Sequence, residues 1–167
     1  QALENALGHD RAVATLLTQI EVDPSDPAFD RPTKFIGPVY DKAEAERLAE
    51  ARGWSIAADG AHWRRVVPSP MPSDIPDLKV LQLLLSHDVT LICAGGGIPV
   101  VRRPDGSLIG IEAVIDKDHA TALLAHKLGA DALLLLTDVA AVFRDFGTDT
   151  QAAIRQMSPE DAARLDL

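Results

Sequence analysis

Three short strings in this sequence carry residue types suited to holding a phosphate group. Gly95-Gly96-Gly97 follows the apolar run Val89 to Ala94. Consecutive glycines let backbone N–H groups approach an anion closely, as glycine-rich phosphate loops do. Three glycines at a strand end serve equally well as a tight turn. Asp116-Lys117-Asp118 stands where a helical pattern begins. A lysine there offers a point charge to a phosphoryl group, steadied by a neighbouring carboxylate; the same triplet also suits a solvated loop with a helix cap. Thr137-Asp138 directly follows the apolar run Ala132 to Leu136. It reads either as a nucleotide-contacting edge or as a strand-terminating turn. All three strings fall where an open α/β sheet binds ligands, at the carboxyl ends of strands.

The other reactive side chains give weaker signals. The five histidines, His9, His62, His87, His119 and His126, lack metal-ligand spacing and read as surface or helix residues, so no protein metal site is expected. Cys93 sits in an apolar strand as a small core residue. Arg64-Arg65 is a candidate anion clamp, although paired arginines on a hairpin are usually solvated. Trp54 and Trp63 are expected to pack a small lobe.

The elements that must position these strings follow from periodicity and punctuation. Gln1 to Leu7 reads as the end of an amphipathic helix, and Ala12 to Val22 as a buried strand. From Asp23 to Pro38 four prolines and Gly37 predict an irregular extended connection. Asp41 with Glu44 forms a capping-box-like start to a helix that Gly53 closes. Trp54 to Ala58 and Trp63 to Val67 predict a hairpin around Asp59-Gly60, and Pro68 to Ser73 a second proline-rich connection. A helix is expected over Ile75 to Ser86, a strand over Val89 to Ala94, and a hairpin from Pro99 to Ile111 around Pro104-Asp105-Gly106-Ser107. Asp118 to Leu128 predicts a helix closed by Gly129, Ala132 to Leu136 a fully buried strand, and Ser158-Pro159 the cap of a last helix. Such alternation predicts an α/β fold with a largely parallel sheet.

Bulk composition narrows the partners. The 167 residues carry 47% hydrophobic and 25% charged side chains, enough for one domain with a core and a small appended lobe. A net charge of −9 disfavours nucleic acid and anionic membranes, while leaving room for a local lysine cluster to hold a small anion. The longest apolar run, around Leu133 to Leu136, is too short to span a bilayer. A single cysteine forms no internal disulfide, so the cytoplasm is the expected compartment. Residues 24–72 stand out as a helix-and-hairpin excursion between two hinge-like segments. The chain opens without methionine inside a helical pattern and stops just after another begins, which reads as an internal piece of a longer protein.

Eight ordered segments closely resemble the carbamate kinase family, within the amino acid kinase superfamily. They are Thr18-Gln19, Asp26 to Phe29, Pro32-Thr33-Lys34, Ile36-Gly37-Pro38, Trp63 to Pro70, Gly95 to Val100, Glu112 to Asp118 and Leu136 to Val139. The strings Arg64-Arg65-Val66-Val67-Pro68-Ser69-Pro70 and Val114-Ile115-Asp116-Lys117-Asp118 separate this family from other kinases of the superfamily. The resemblance implies a three-layer α/β/α sandwich, with residues 1–23 and 73–167 in the core and 24–72 as a protruding subdomain over the active site. It implies reversible transfer between ATP plus carbamate and ADP plus carbamoyl phosphate, with Mg2+, in a homodimer.

Carried over by position, Lys34 reaches the substrate, Lys117 neutralises the transferring phosphoryl group and Asp118 orients the lysines. Gly95, Gly96 and Gly97 present amides to phosphoryl or carbamate oxygens, and Thr137 and Asp138 lie near the nucleotide. Phosphoryl transfer asks for positioning and positive charge rather than a protein nucleophile, which agrees with this set. Phe35 stands where the family usually carries proline, and Ala140 where an aspartate is common. The family's amino-terminal glycine loop and carboxy-terminal lysine have no counterpart in the chain, so a truncated non-catalytic remnant is the alternative reading. A related kinase with another acceptor is a third.

Overall fold

The computed structural model describes residues 1–8 and 11–165; His9 lies outside them. The chain divides into two units, Gln1–Leu133 and Leu134–Leu167. The first unit opens with helix α1 (Ala2–Leu7) and strands β1 (Val13–Thr15) and β2 (Gln19–Val22). It continues through β3 (Lys34–Tyr40), α2 (Lys42–Arg52), β4 (Ser55–Asp59), β5 (His62–Val67) and β6 (Pro72–Asp74). Helix α3 (Leu78–Leu85), strands β7 (Thr90–Ile92), β8 (Ile98–Arg102) and β9 (Leu108–Gly110), and helix α4 (Lys117–Leu128) complete it. The second unit holds an antiparallel pair, β10 (Val142–Arg144) with β11 (Ala152–Ile154), and α5 (Pro159–Ala162).

This is an α/β fold with mixed sheets. Strands β1 and β7 pair in parallel, as do β2 and β8 at the centre of the order β6-β2-β8-β9. The outer pairings of that sheet are antiparallel, the usual arrangement where an edge strand closes a parallel centre. A separate antiparallel sheet, β3-β5-β4, carries α2 against it.

Local signals account for most boundaries. Asp41 accepts a hydrogen bond from the Glu44 amide at 2.9 Å, and left-handed Gly53 ends α2. Gly129 closes α4 in the same way, and Ser158 caps α5 ahead of Pro159. On α4, Ala120 and Leu124 are one turn apart and bury together. They meet Ile20, Val22, Ile75, Leu81, Val101 and Ile115 in the core. Among the described residues no helix is long and apolar enough to cross a membrane.

Five expectations are corrected. The single strand expected over Ala12 to Val22 is two, because Thr18 interrupts it. The Thr18 hydroxyl donates to the Leu16 carbonyl at 3.3 Å and accepts from the Ala94 amide at 2.9 Å, replacing ladder bonds with side-chain ones. The chain thereby steps from the partner β7 to the partner β8. The irregular segment ahead of Pro38 contains the start of β3, which accommodates Gly37 and Pro38 because it is an edge strand whose register breaks between Ile36 and Tyr40. The second proline-rich connection likewise contains edge strand β6, and α3 begins later than expected, at Leu78. Finally, Ala132 to Leu136 is not a buried strand: residues 131–140 are all exposed, Leu134 by 83% and Leu136 by 91%. A strand exists through its neighbours, and among the described residues none pairs with this segment.

Candidate phosphate-binding site

The amino end of α4 is built around Asp116. Its backbone is extended, and its Oδ1 accepts hydrogen bonds from the amides of Asp118 at 2.9 Å and His119 at 3.3 Å. Its other oxygen, Oδ2, accepts from Lys34 Nζ at 2.7 Å, across 82 residues of sequence. The Lys34 ammonium, aided by the two amides against partial burial, holds the Asp116 carboxyl down at about 2. Lys34 is the first residue of β3, so the separate antiparallel sheet delivers it to the helix.

Lys117 opens α4, and its ammonium lies 2.5 Å from Asp118 Oδ1, which raises the lysine's pKa. A cation at a helix amino terminus opposes the macrodipole, whereas an anion there is favoured. The flanking carboxylates offset that cost, and a bound phosphoryl group would offset it further.

The glycine turn packs against this helix start. Gly95, Gly96 and Gly97 have φ of 63°, 102° and 74°, and Ala94 before them has 60°. A Cβ on Gly96 would stand 3.0 Å from the Ile115 carbonyl oxygen, immediately before Asp116. On Gly97 it would stand 2.4 Å from Ile20 Cγ1 and 2.9 Å from the Thr18 oxygen. The turn is pinned on both sides, by Ala94 N–H to the Thr18 hydroxyl and by Ile98 N–H to the Thr18 carbonyl at 2.8 Å. Among the described residues none accepts a hydrogen bond from the amides of Gly95, Gly96 or Gly97, as an anion-binding turn requires.

The remaining sequence candidates sort clearly. Thr137 and Asp138 lie in the second unit, exposed, with the Thr137 hydroxyl donating to Asp138 at 3.4 Å. Arg64 and Arg65 are engaged rather than solvated. Arg64 donates to Asp59 at 3.2 Å and to the Gly37 carbonyl at 2.9 Å. Arg65 pairs with Glu112 at 2.6 Å and lies 4.8 Å over the Trp54 ring, as Arg52 does. Neither is a free anion clamp. Burial pushes the Cys93 thiol up, away from nucleophilic use. His62, His87, His119 and His126 are exposed, and no group of three or more His, Cys, Asp or Glu converges as a metal site among the described residues. Asp116 as the partner of Lys34 was not anticipated; its place before a helix was the available signal.

A glycine turn and two lysines stand together at a helix mouth on an α/β frame, an arrangement with the charge and amides to hold a phosphate group. Residues 40–166 match the family model described as the amino acid kinase family. The chain belongs to the amino acid kinase family. It is 51% identical to the carbamate kinase of Haemophilus influenzae over 166 residues, 99% of this chain and 54% of that relative. With the carbamate kinase of Escherichia coli K12 it shares 51% over 152 residues, 90% of this chain and 50% of the other. Its structure is similar to that of carbamate kinase from Giardia lamblia bound to citric acid, with a TM-score of 0.79 at 41% identity over 87% of this chain and 49% of that one. The same Giardia enzyme bound to AMP-PNP gives 0.76 at 38% identity, over 92% and 49%. The chain spans about half the length of the curated relatives it matches.

Proposed function

We propose that the complete protein is a phosphotransferase interconverting ATP plus carbamate and ADP plus carbamoyl phosphate. The observation that carries this reading is the Lys34–Asp116 contact, which brings a lysine from a separate sheet to the helix start that bears Lys117. Two ammonium groups and a turn whose amides meet no acceptor among the described residues suit a phosphoryl group whose charge spreads over equatorial oxygens in transfer. In the ATP-forming direction a β-phosphate oxygen of ADP attacks the phosphorus of carbamoyl phosphate, and the bond to the carbamate oxygen breaks as the new one forms. Lys117 neutralises the moving group and Asp118 orients Lys117. Lys34 meets the substrate, and Gly95, Gly96 and Gly97 offer amides to its oxygens. Thr137 and Asp138 serve the nucleotide.

The similarity to an enzyme solved with AMP-PNP supports nucleotide use. Magnesium would arrive chelated by the nucleotide's phosphates, which suits a region whose carboxylates, Asp116 and Asp118, already pair with lysines. Residues 24–72 act as a lobe over the site, and the protein works in the cytoplasm as a homodimer.

ATP formation from ADP and carbamoyl phosphate by the complete gene product tests the reading. Lys117→Ala should lower turnover by about a thousandfold while thermal unfolding stays put. Near-normal activity in that variant removes Lys117 from the mechanism. A folded, complete wild-type protein that forms no ATP favours the non-catalytic remnant, an alternative that the half-length span of this chain keeps in play.

A further inference from the structure

Lys34 and Asp116 owe their meeting to one junction in the chain. In the β3–β5 ladder Lys34 sits opposite Val67. The next residue, Pro68, accepts a hydrogen bond from the Val114 amide at 3.0 Å. Val67 therefore fixes the backbone of one ion-pair partner, and Pro68 fixes the segment that carries the other. The same segment is held a second time, where Glu112 takes Arg65 of β5 at 2.6 Å. The strip Glu112 to Asp116 thus runs from the antiparallel sheet directly into α4, and its last residue holds both the helix start and Lys34.

We propose that Asp116 is the positioning residue for Lys34, a role that rests on the phosphotransferase reading and deepens it. The carboxylate divides its two oxygens: Oδ1 caps α4 and Oδ2 fixes the Lys34 ammonium at the helix mouth. Lysine has a long stem with many rotamers, and one hydrogen bond to an ionised partner removes most of that freedom before substrate arrives. Only one of the three ammonium donors is spent in this way, so two remain for an anion. Lys34 therefore does not have to leave Asp116 in order to bind. Lys117 is held differently, by Asp118 beside it on the same turn. Each lysine has its own carboxylate, and losing one should leave the other in place. The Asp116 carboxyl stays ionised throughout the working pH range, since its pKa is held near 2.

The two duties separate by substitution. Asparagine caps helices about as well as aspartate but carries no charge. In the complete protein, Asp116→Asn should keep its melting temperature within a few degrees while kcat/KM for carbamoyl phosphate falls by roughly tenfold or more. Adding Lys34→Ala to Asp116→Asn should then cost less than Lys34→Ala costs alone, because both changes remove one contact. An Asp116→Asn enzyme with wild-type kcat/KM, or costs that simply add, overturns the proposal. A second readout needs no activity. The rate at which an amine-reactive ester acylates Lys34, followed by peptide mass spectrometry, should rise several-fold in Asp116→Asn while other lysines are unchanged. An unchanged Lys34 rate overturns the positioning role. A wild-type protein that forms no ATP defeats the phosphotransferase reading, and the acylation result still decides the contact.

Discussion

Two turns that follow apolar runs look alike in sequence and differ in structure. Gly95 to Gly97, after β7, is a built turn: four consecutive residues from Ala94 have positive φ, and core atoms of Ile20 crowd its far end. Thr137-Asp138, after Ala132 to Leu136, follows a run that pairs with nothing among the described residues and lies exposed. The first turn is dictated by short-range sterics and by one neighbour on each side. A strand ahead of the second would depend on neighbours to pair with it. A glycine turn carries its own instructions, whereas a buried strand is a property of its company.

The sharpest way to break this contrast is to put methyl groups on the glycine turn. Gly97→Ala combines a positive φ with a Cβ 2.4 Å from Ile20 Cγ1, and should destabilise the fold by about 3 kcal/mol. Gly95→Ala, at an open position with φ of 63°, should cost only about 1 kcal/mol. Chemical denaturation of the pair checks the difference, and equal costs would mean that the turn is not seated on Ile20.

A smaller effect concerns the helix start beside that turn. Asp116 has a pKa lowered to about 2, chiefly by Lys34, so the unfolded chain binds its proton more readily than the folded one. Its contribution is full above the ordinary carboxylate value and is lost as pH falls through about 2. Melting temperatures of wild type and Asp116→Asn should therefore converge on acidification below about pH 4. A gap that stays constant down to pH 2 would mean that the ion pair adds nothing. The smallest effect belongs to the second turn. With Leu134 83% exposed, Leu134→Ser in the 167-residue chain should change stability by no more than about 0.5 kcal/mol. A larger loss by thermal unfolding would place a neighbouring strand over that run after all.

Elements that speak for themselves locally were legible in the sequence. The hairpin at Asp59-Gly60, the cap at Asp41 and the stops at Gly53 and Gly129 need only nearby residues, and each stands where expected. Within the candidate site, the glycines and the Asp116-Lys117-Asp118 triplet are legible from residue type and placement, whereas Lys34 enters only through the family resemblance. The contact that organises them, Lys34 to Asp116, spans two sheets' worth of chain and left no mark in the spacing. The split at Thr18 was hidden for a related reason: a hydroxyl that bonds a distant amide looks, in sequence, like any strand threonine. Leu133 to Leu136 misled because hydrophobicity records a wish for burial and not the presence of a partner.

Thr18 has one more effect. It takes up the amides of Ala94 and Ile98 through its hydroxyl and its carbonyl, leaving between them three glycine amides that no acceptor among the described residues takes. In solvent-exchange terms the turn should read as three fast protons bracketed by two slow ones. Occupancy by an anion would be visible there as a local slowing of deuterium uptake, with the brackets unchanged.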